Sequence, residues 1–307
     1  MKHKGLFPGG NVTRHRLALS VALLFCLAGC GGGGGGGGGG GSATTQGTGN
    51  NATPVGTQPA DVWTIPQQLV VDGGPGKDGI PSVDNPTYVA ANSEVLSDNA
   101  LVVGFLTAAG ARAISHEILD WHEVVNDNID GLPVAVNYCP LTGSAMLWEG
   151  AVAASDPTFG VSGLLYNSNL ILYDRETDSL WSQMSVQSVN GQRVREQPRM
   201  RALVETTWGT WRQMYPETTP MSRVTGFSRN YGLYPYGDFR TSDRLIFSVS
   251  TNDTRLHRKA RVVGVTRNGI ARAYPIGELG SLSVINDELA NTPLVIAGSA
   301  AGRYGVA

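Results

Sequence analysis

The stretch LVVGFLTAAGARAISHEILDWHEVVNDNIDGLPVAV, residues 101–136, returns without a gap as RVVGVTRNGIARAYPIGELGSLSVINDELANTPLVI, residues 261–296. Val102, Val103 and Gly104 match Val262, Val263 and Gly264, and Ala111, Arg112 and Ala113 match Ala271, Arg272 and Ala273. Leu119 matches Leu279, Asn126 and Asp127 match Asn286 and Asp287, and Pro133 matches Pro293. A constant offset over such a length marks one supersecondary unit used twice. VVGF and VVGV are short β-branched strands. Asn268-Gly269 suits a hairpin turn with positive φ at both turn positions. ARAI and ARAY read as the returning strand. Residues 119–126 and 282–289 are expected to form a short helix, and PVAV and PLVI a third strand. The unit is thus β–turn–β–short helix–β. Two copies packed about a pseudo-two-fold axis bury two half-cores that neither buries alone. Arg112 and Arg272 should hold equivalent places, bonding the repeated aspartate or backbone carbonyls.

The segment between the copies extends the β character. GVSGLLYNSNLILYDRETDSLWSQ, residues 160–183, alternates over several stretches, with Asp174, Arg175, Glu176 and Thr177 as a turn. Trp208, Trp211 and Tyr215 fall on one helical face, which reads as a short amphipathic helix packed on a sheet. A carbohydrate-stacking platform is the alternative for these aromatics. Tyr231, Tyr234, Tyr236 and Phe239 lie in a Gly- and Pro-bearing loop suited to covering a pocket. The expected fold class is mostly β, or α+β, with two copies of the unit around a β-rich middle segment.

Upstream of the first copy the chain changes character. Lys2, Lys4, Arg14 and Arg16 precede a short apolar stretch, LALSVALLFCL, which ends in LAGC at Cys30. The run is too short for a stable membrane span and ends in small residues, as a signal peptide does. LAGC resembles the lipobox of bacterial lipoproteins. The resemblance implies cleavage before Cys30 and lipidation of its thiol. Residues 31–41 are all glycine, with nothing to bury, and read with their polar successors as a tether. The organisation expected is a signal peptide over 1–29, a flexible tether over 30–61 and one globular domain over 62–307. Gly31 follows the lipidated cysteine, and no aspartate marks inner-membrane retention. By analogy with enterobacterial sorting, the outer membrane is favoured, with the domain outside the cytoplasm.

Composition limits the partners. The 307 residues carry 23 basic and 25 acidic side chains, net −2. No basic patch suits nucleic acid. Cleavage of the leader removes four basic residues and leaves net −6. Such a chain is repelled by an anionic membrane, so the acyl chains are the expected membrane partner.

After that cleavage Cys139 is the only unmodified thiol. It ends the strand PVAVNYC at a turn begun by Pro140 and continued by Gly143 and Ser144. A lone thiol outside the cytoplasm is either buried or used. His116, His122 and Cys139 belong to the first copy only; their counterparts are Ile276, Leu282 and Ser299. Repeated residues therefore read as scaffold, and these three as chemistry grafted onto one copy. His257 precedes the first strand of the second copy. Cys139 and His122, with His116 and His257, form a candidate copper or zinc set, since thiolate and imidazole are ligands for both. Cys139 and His122 are equally candidates for a nucleophile and its base. No Walker loop, GxSxG, HExxH or CxxCH occurs.

Several motifs together resemble the domain of unknown function 3179 family. They are DGIPSVDNP (78–86), LDWHEVVND (119–127), VNYCPLTGSA (136–145), LYDRETDSLWSQ (172–183), TTWGTWRQMYPET (206–218) and RLHRKARVVGV (255–265). The likeness runs from about residue 70 to the C-terminus and brings no activity with it. It implies Cys139 and His122 as candidate site residues. The family often carries a second cysteine three residues on, where this chain has Thr142. Three functions follow. The first is a lipid-anchored domain binding a transition metal or redox partner through Cys139 and His122. The second is a cysteine enzyme with a histidine base. The third is a structural or carrier module with a packed Cys139.

Overall fold

The computed structural model describes residues 62–150 and 158–307, which are largely β with two short α-helices. The leader, Cys30 and the glycine tether lie outside the described residues. The first strands are β1 (Val70–Asp72), β2 (Val83–Asp84), β3 (Leu101–Thr107) and β4 (Gly110–Ser115). Helix α1 (His116–His122) follows, then β5 (Val124–Ile129), β6 (Leu132–Cys139) and β7 (Ser144–Glu149). The middle holds β8 (Phe159–Tyr166), β9 (Asn169–Asp174), β10 (Leu180–Ser182), β11 (Gln187–Asn190), β12 (Arg199–Arg201) and β13 (Val204–Thr207). Helix α2 (Trp208–Met214) and β14 (Thr219–Pro220) close it. Last come β15 (Val262–Arg267), β16 (Ile270–Pro275), β17 (Ser283–Leu289), β18 (Thr292–Ser299) and β19 (Tyr304–Val306).

The N-terminal two-thirds is a stack of layers. Sheet β1-β8-β9-β10-β11 packs on sheet β12-β7-β6-β5-β2 through Val124, Ala135, Cys139 and Trp148 on one side and Phe159, Val161, Leu172 and Trp181 on the other. The opposite face of β5–β7 meets α1 and the sheet β13-β3-β4-β14, with Phe105, Ile114, Ile118, Leu119, Val125 and Val136 fully buried. Helix α2 lays Trp208 and Trp211 over the far side of that sheet, against Val102, Ala111 and Ala113. Gly104 permits this approach: a Cβ there would lie 2.5 Å from the Trp211 ring.

The last five strands form a β15-β16 pair and a three-stranded β17-β18-β19 sheet, with no further strand on their edges among the described residues. They are joined to the stack where the Thr206 hydroxyl and Thr207 amide both donate to the Gly302 carbonyl. The turn between β15 and β16 has positive φ at Asn268 and Gly269, 49° and 75°. Arg112 donates to Asp127 at 3.0 Å, and Arg272 to Asp287 at 2.6 Å.

Two expected helices are corrected. Residues 119–126 do not form one: α1 begins at His116 and stops at Glu123, whose left-handed backbone (φ 57°, ψ −28°) breaks the spiral. Val124 and Val125 then suit a strand and pair with Asn137 and Val136 of β6. Residues 282–289 are mostly strand β17, because Val284 and Ile285 are likewise β-branched. Only a 3-10 turn, Ile276–Glu278, stands near the place of α1, where Pro275 and Gly277 do not favour a longer helix.

Candidate functional site

Helix α1 carries polar groups into the core along with apolar ones. In HEILDWH, Ile118 and Leu119 are buried, and so are His116, Asp120 and His122. The segment 222–261 contains no helix or strand, and its residues 223–240 lie against this helix. So long an irregular connection is uncommon inside a compact domain, and functional loops are one of the classes in which it occurs. It is tied to α1 by side chains. Tyr236 donates to Glu123 Oε1 at 2.8 Å, and Arg240 donates to both oxygens of Asp120 at 2.7 and 2.8 Å. Trp121 Nε1 donates to the Leu233 carbonyl at 3.0 Å, and His122 Nε2 meets the Tyr231 hydroxyl at 2.7 Å.

Burial governs the charges in this layer. It raises the Glu123 carboxyl to about 7, against the pull of the Tyr236 hydroxyl and with help from Asp120. Asp120 also rises to about 7 through burial, which outweighs the guanidinium of Arg240. Two carboxyls therefore exchange protons near neutrality. His116 is held neutral: burial drives it well below the usual range, and Arg240 and Arg261 push the same way. Its Nε2 is 3.3 Å from Glu205 Oε1, yet the alignment leaves both ring nitrogens without a hydrogen bond. The buried Ser242 hydroxyl also makes none among the described residues. Glu205 is itself raised by burial, against its partner Arg261. Buried polar groups left without partners are rare enough to need an explanation.

A second polar network holds the turn after Cys139. Gln183 Nε2 donates to Asn137 Oδ1 at 2.9 Å and to the Ser144 carbonyl at 3.1 Å. Asn169 Nδ2 donates to Gln183 Oε1 at 2.8 Å and to Thr142 Oγ1 at 3.0 Å. The motifs around residues 137–144, 169 and 183 thus converge, and Cys139 sits beneath them. Its thiol is buried, points to the Ser168 carbonyl at 3.6 Å, and has its pKa raised by burial and then by Glu123.

This geometry overturns the copper or zinc centre and the cysteine–histidine pair. Among the described residues no group of three or more His, Cys, Asp or Glu is placed to hold a metal ion. The four candidates have separate environments. His122 spends one nitrogen on the Pro81 carbonyl and the other on Tyr231. His116 packs on Tyr138, ring centroids 4.6 Å apart. His257 is exposed and faces Asp243. Cys139 is a neutral thiol among apolar side chains, neither a thiolate ligand nor an activated nucleophile, so a redox partner at a Cys139–His122 site loses its basis as well. Maleimide should therefore label Cys139 at least about a hundredfold more slowly in native protein than in denaturant, because reaction must wait for local opening. Labelling at equal rates would place the thiol at the surface.

Sequence reasoning singled out Cys139 and the histidines and passed over Asp120, Glu123 and Arg240. The signal was present: in DWHE one acid lies in a helix rich in buried residues and the other caps it. The tyrosine loop, expected to suit a pocket cover, places Tyr231 against His122 and Tyr236 against Glu123.

A family model described as "Protein of unknown function (DUF3179)" matches residues 77–306. No curated protein and no solved structure matches the chain.

Proposed function

Since the chain belongs to the DUF3179 family, proteins of unknown function, and no activity comes with membership, we propose from the site itself that the protein binds a small, uncharged, polyhydroxylated ligand under residues 222–261, coupled to protonation of Glu123. One observation carries the reading: Glu123 combines a left-handed backbone, burial and a carboxyl raised to about 7, with the cover's Tyr236 bonded to it. A neutral carboxylic acid both donates and accepts, as do the hydroxyls of Tyr234 and Ser242, and a sugar or polyol has the complementary groups. The test is a thermal-shift panel of sugars, polyols, amino acids and dicarboxylates at pH 6 and pH 8. A polyol or sugar should raise the melting temperature, more at pH 6. Glu123→Gln should keep the shift and lose its pH dependence, and Glu123→Ala should lose it. A panel without a stabilising sugar or polyol, or a shift indifferent to Glu123→Ala, sinks the reading.

We infer further that residues 101–136 and 261–296 are two copies of one unit. The support is local. β3, β4, β5 and β6 have counterparts in β15, β16, β17 and β18 at the same offset, and the Arg112–Asp127 pair has one in Arg272–Asp287. The copies differ in their helical part, α1 against a 3-10 turn.

For location we infer the lipid anchor at Cys30, carried by the basic leader, the apolar run and LAGC. No helix among the described residues is long and apolar enough to cross a membrane. The globular domain at 62–307 is then held at the outer membrane by acyl chains on Cys30. Wild type should partition into detergent, and Cys30→Ser should appear in the soluble fraction; a variant that stays in the membrane pellet removes the anchor.

A further inference from the structure

We propose that the outer face of the β17–β18–β19 sheet is a docking surface for a β-hairpin of another polypeptide segment, with the chemistry of β8–β9. The inference rests on the duplication, because the first unit supplies the template for what covers such a face. There, Val124, Ala135 and Trp148 are fully buried under β8–β9. The corresponding Val284 and Val295 are 62% and 55% exposed. They share one side of the sheet with Asn286, Ala297 and Val306. Val284 pairs with Ala297, Asn286 with Val295, and Ala297 with Val306, and directly paired residues project to the same side. The outer side of β15–β16 is bare as well. A Cβ on Gly104 strikes Trp211 of α2, whereas one on the matching Gly264 meets nothing within 4 Å.

The template also specifies a strand. Asn126, buried in the first unit, grips the backbone of β8 at Phe159. Its Nδ2 donates to the Phe159 carbonyl at 2.8 Å, and its Oδ1 accepts the Phe159 amide at 3.0 Å. Asn286 is the matching residue and stands exposed between the two valines. A side-chain amide can pair in this way with the N–H and C=O of one residue of a crossing strand. Where the first unit has Asn137, bonded by Gln183, the second has Ala297, so this face asks for a more apolar occupant. The partner is therefore an extended hairpin with alternating aliphatic side chains and an aromatic residue at the position that Asn286 grips.

The probe is a fluorescent synthetic peptide spanning residues 158–174, with a lysine tail for solubility, added to the full chain. Anisotropy should show saturable binding, and hydrogen exchange should slow in 283–299. Asn286→Ala should weaken binding about tenfold and Val295→Lys should abolish it, while Leu106→Lys, at an exposed position in β3, should leave it unchanged. No saturable binding, or binding equal in all three variants, overturns the docking. A wild-type dimer in sedimentation that Val295→Lys dissolves makes the occupant a second copy and also overturns it. Failure of the duplication reads differently: Asn286→Ala would then bind as wild type while Val295→Lys still lost binding, which overturns the template for the occupant.

Discussion

Replacing Arg240 by methionine should lower the unfolding free energy by about 2–3 kcal/mol at pH 8 and much less at pH 5. Asp120 is buried, and Nη2 of Arg240 donates to both of its oxygens. Removing one member of a buried ion pair strands the other, which costs about 3–5 kcal/mol when both are fully buried. Arg240 is 41% exposed on its side chain, so the lower figure applies. At pH 5 the Asp120 carboxyl, raised to about 7, already holds its proton, and the variant strands no charge. Urea denaturation at the two pH values measures the difference. Equal losses at both would mean that Arg240 contributes by packing on Tyr234, whose ring centroid lies 4.1 Å from the guanidinium carbon.

Glu123→Gln should abolish part of the protein's loss of stability with rising pH. The folded pKa of Glu123, about 7, lies above the ordinary value of 4.5 for a glutamate carboxyl. A group raised in this sense gives its full stabilisation below the unfolded pKa and loses it as pH rises through the folded one. The window is therefore about pH 4.5 to 7, and the shift corresponds to about 3 kcal/mol. Glutamine mimics the neutral acid and keeps an oxygen for the Tyr236 hydroxyl. The variant should match wild type at pH 5 and exceed it at pH 8 by up to about 3 kcal/mol. Asp120 titrates in the same window, so a residual slope remains in the variant. Stability curves that stay parallel from pH 5 to 8 would falsify the buried, proton-holding Glu123.

What the sequence disclosed and what it hid have distinct causes. Strands announce themselves through β-branched runs and turn residues, and VVGF, ARAI and PVAV became β3, β4 and β6. The α1 boundary was misread because no residue type in 119–126 announces the left-handed backbone at Glu123 that ends the helix. Cys139 drew attention by chemical type, but type says nothing of burial, which tertiary packing under β8–β9 decides. The acids of the site were hidden for the converse reason. Asp120 and Glu123 look like surface residues until a segment more than a hundred residues later folds across them.

The order of strands in the stack also sets an order in time. The edges of the β3–β4 hairpin are closed by β13 and β14, the latter parallel to β4 and residing at Thr219–Pro220. β3 and β13 meet across about a hundred residues, and such distant pairings are slow because loop closure must precede any reward. A nascent chain emerging N-terminus first can therefore fold its hairpin early but cannot finish that sheet until residue 220 has appeared. Until then it presents open strand edges to its neighbours, the state in which chains aggregate. Closing a hairpin with strands that arrive a hundred residues later therefore lengthens the interval in which the unfinished sheet is exposed.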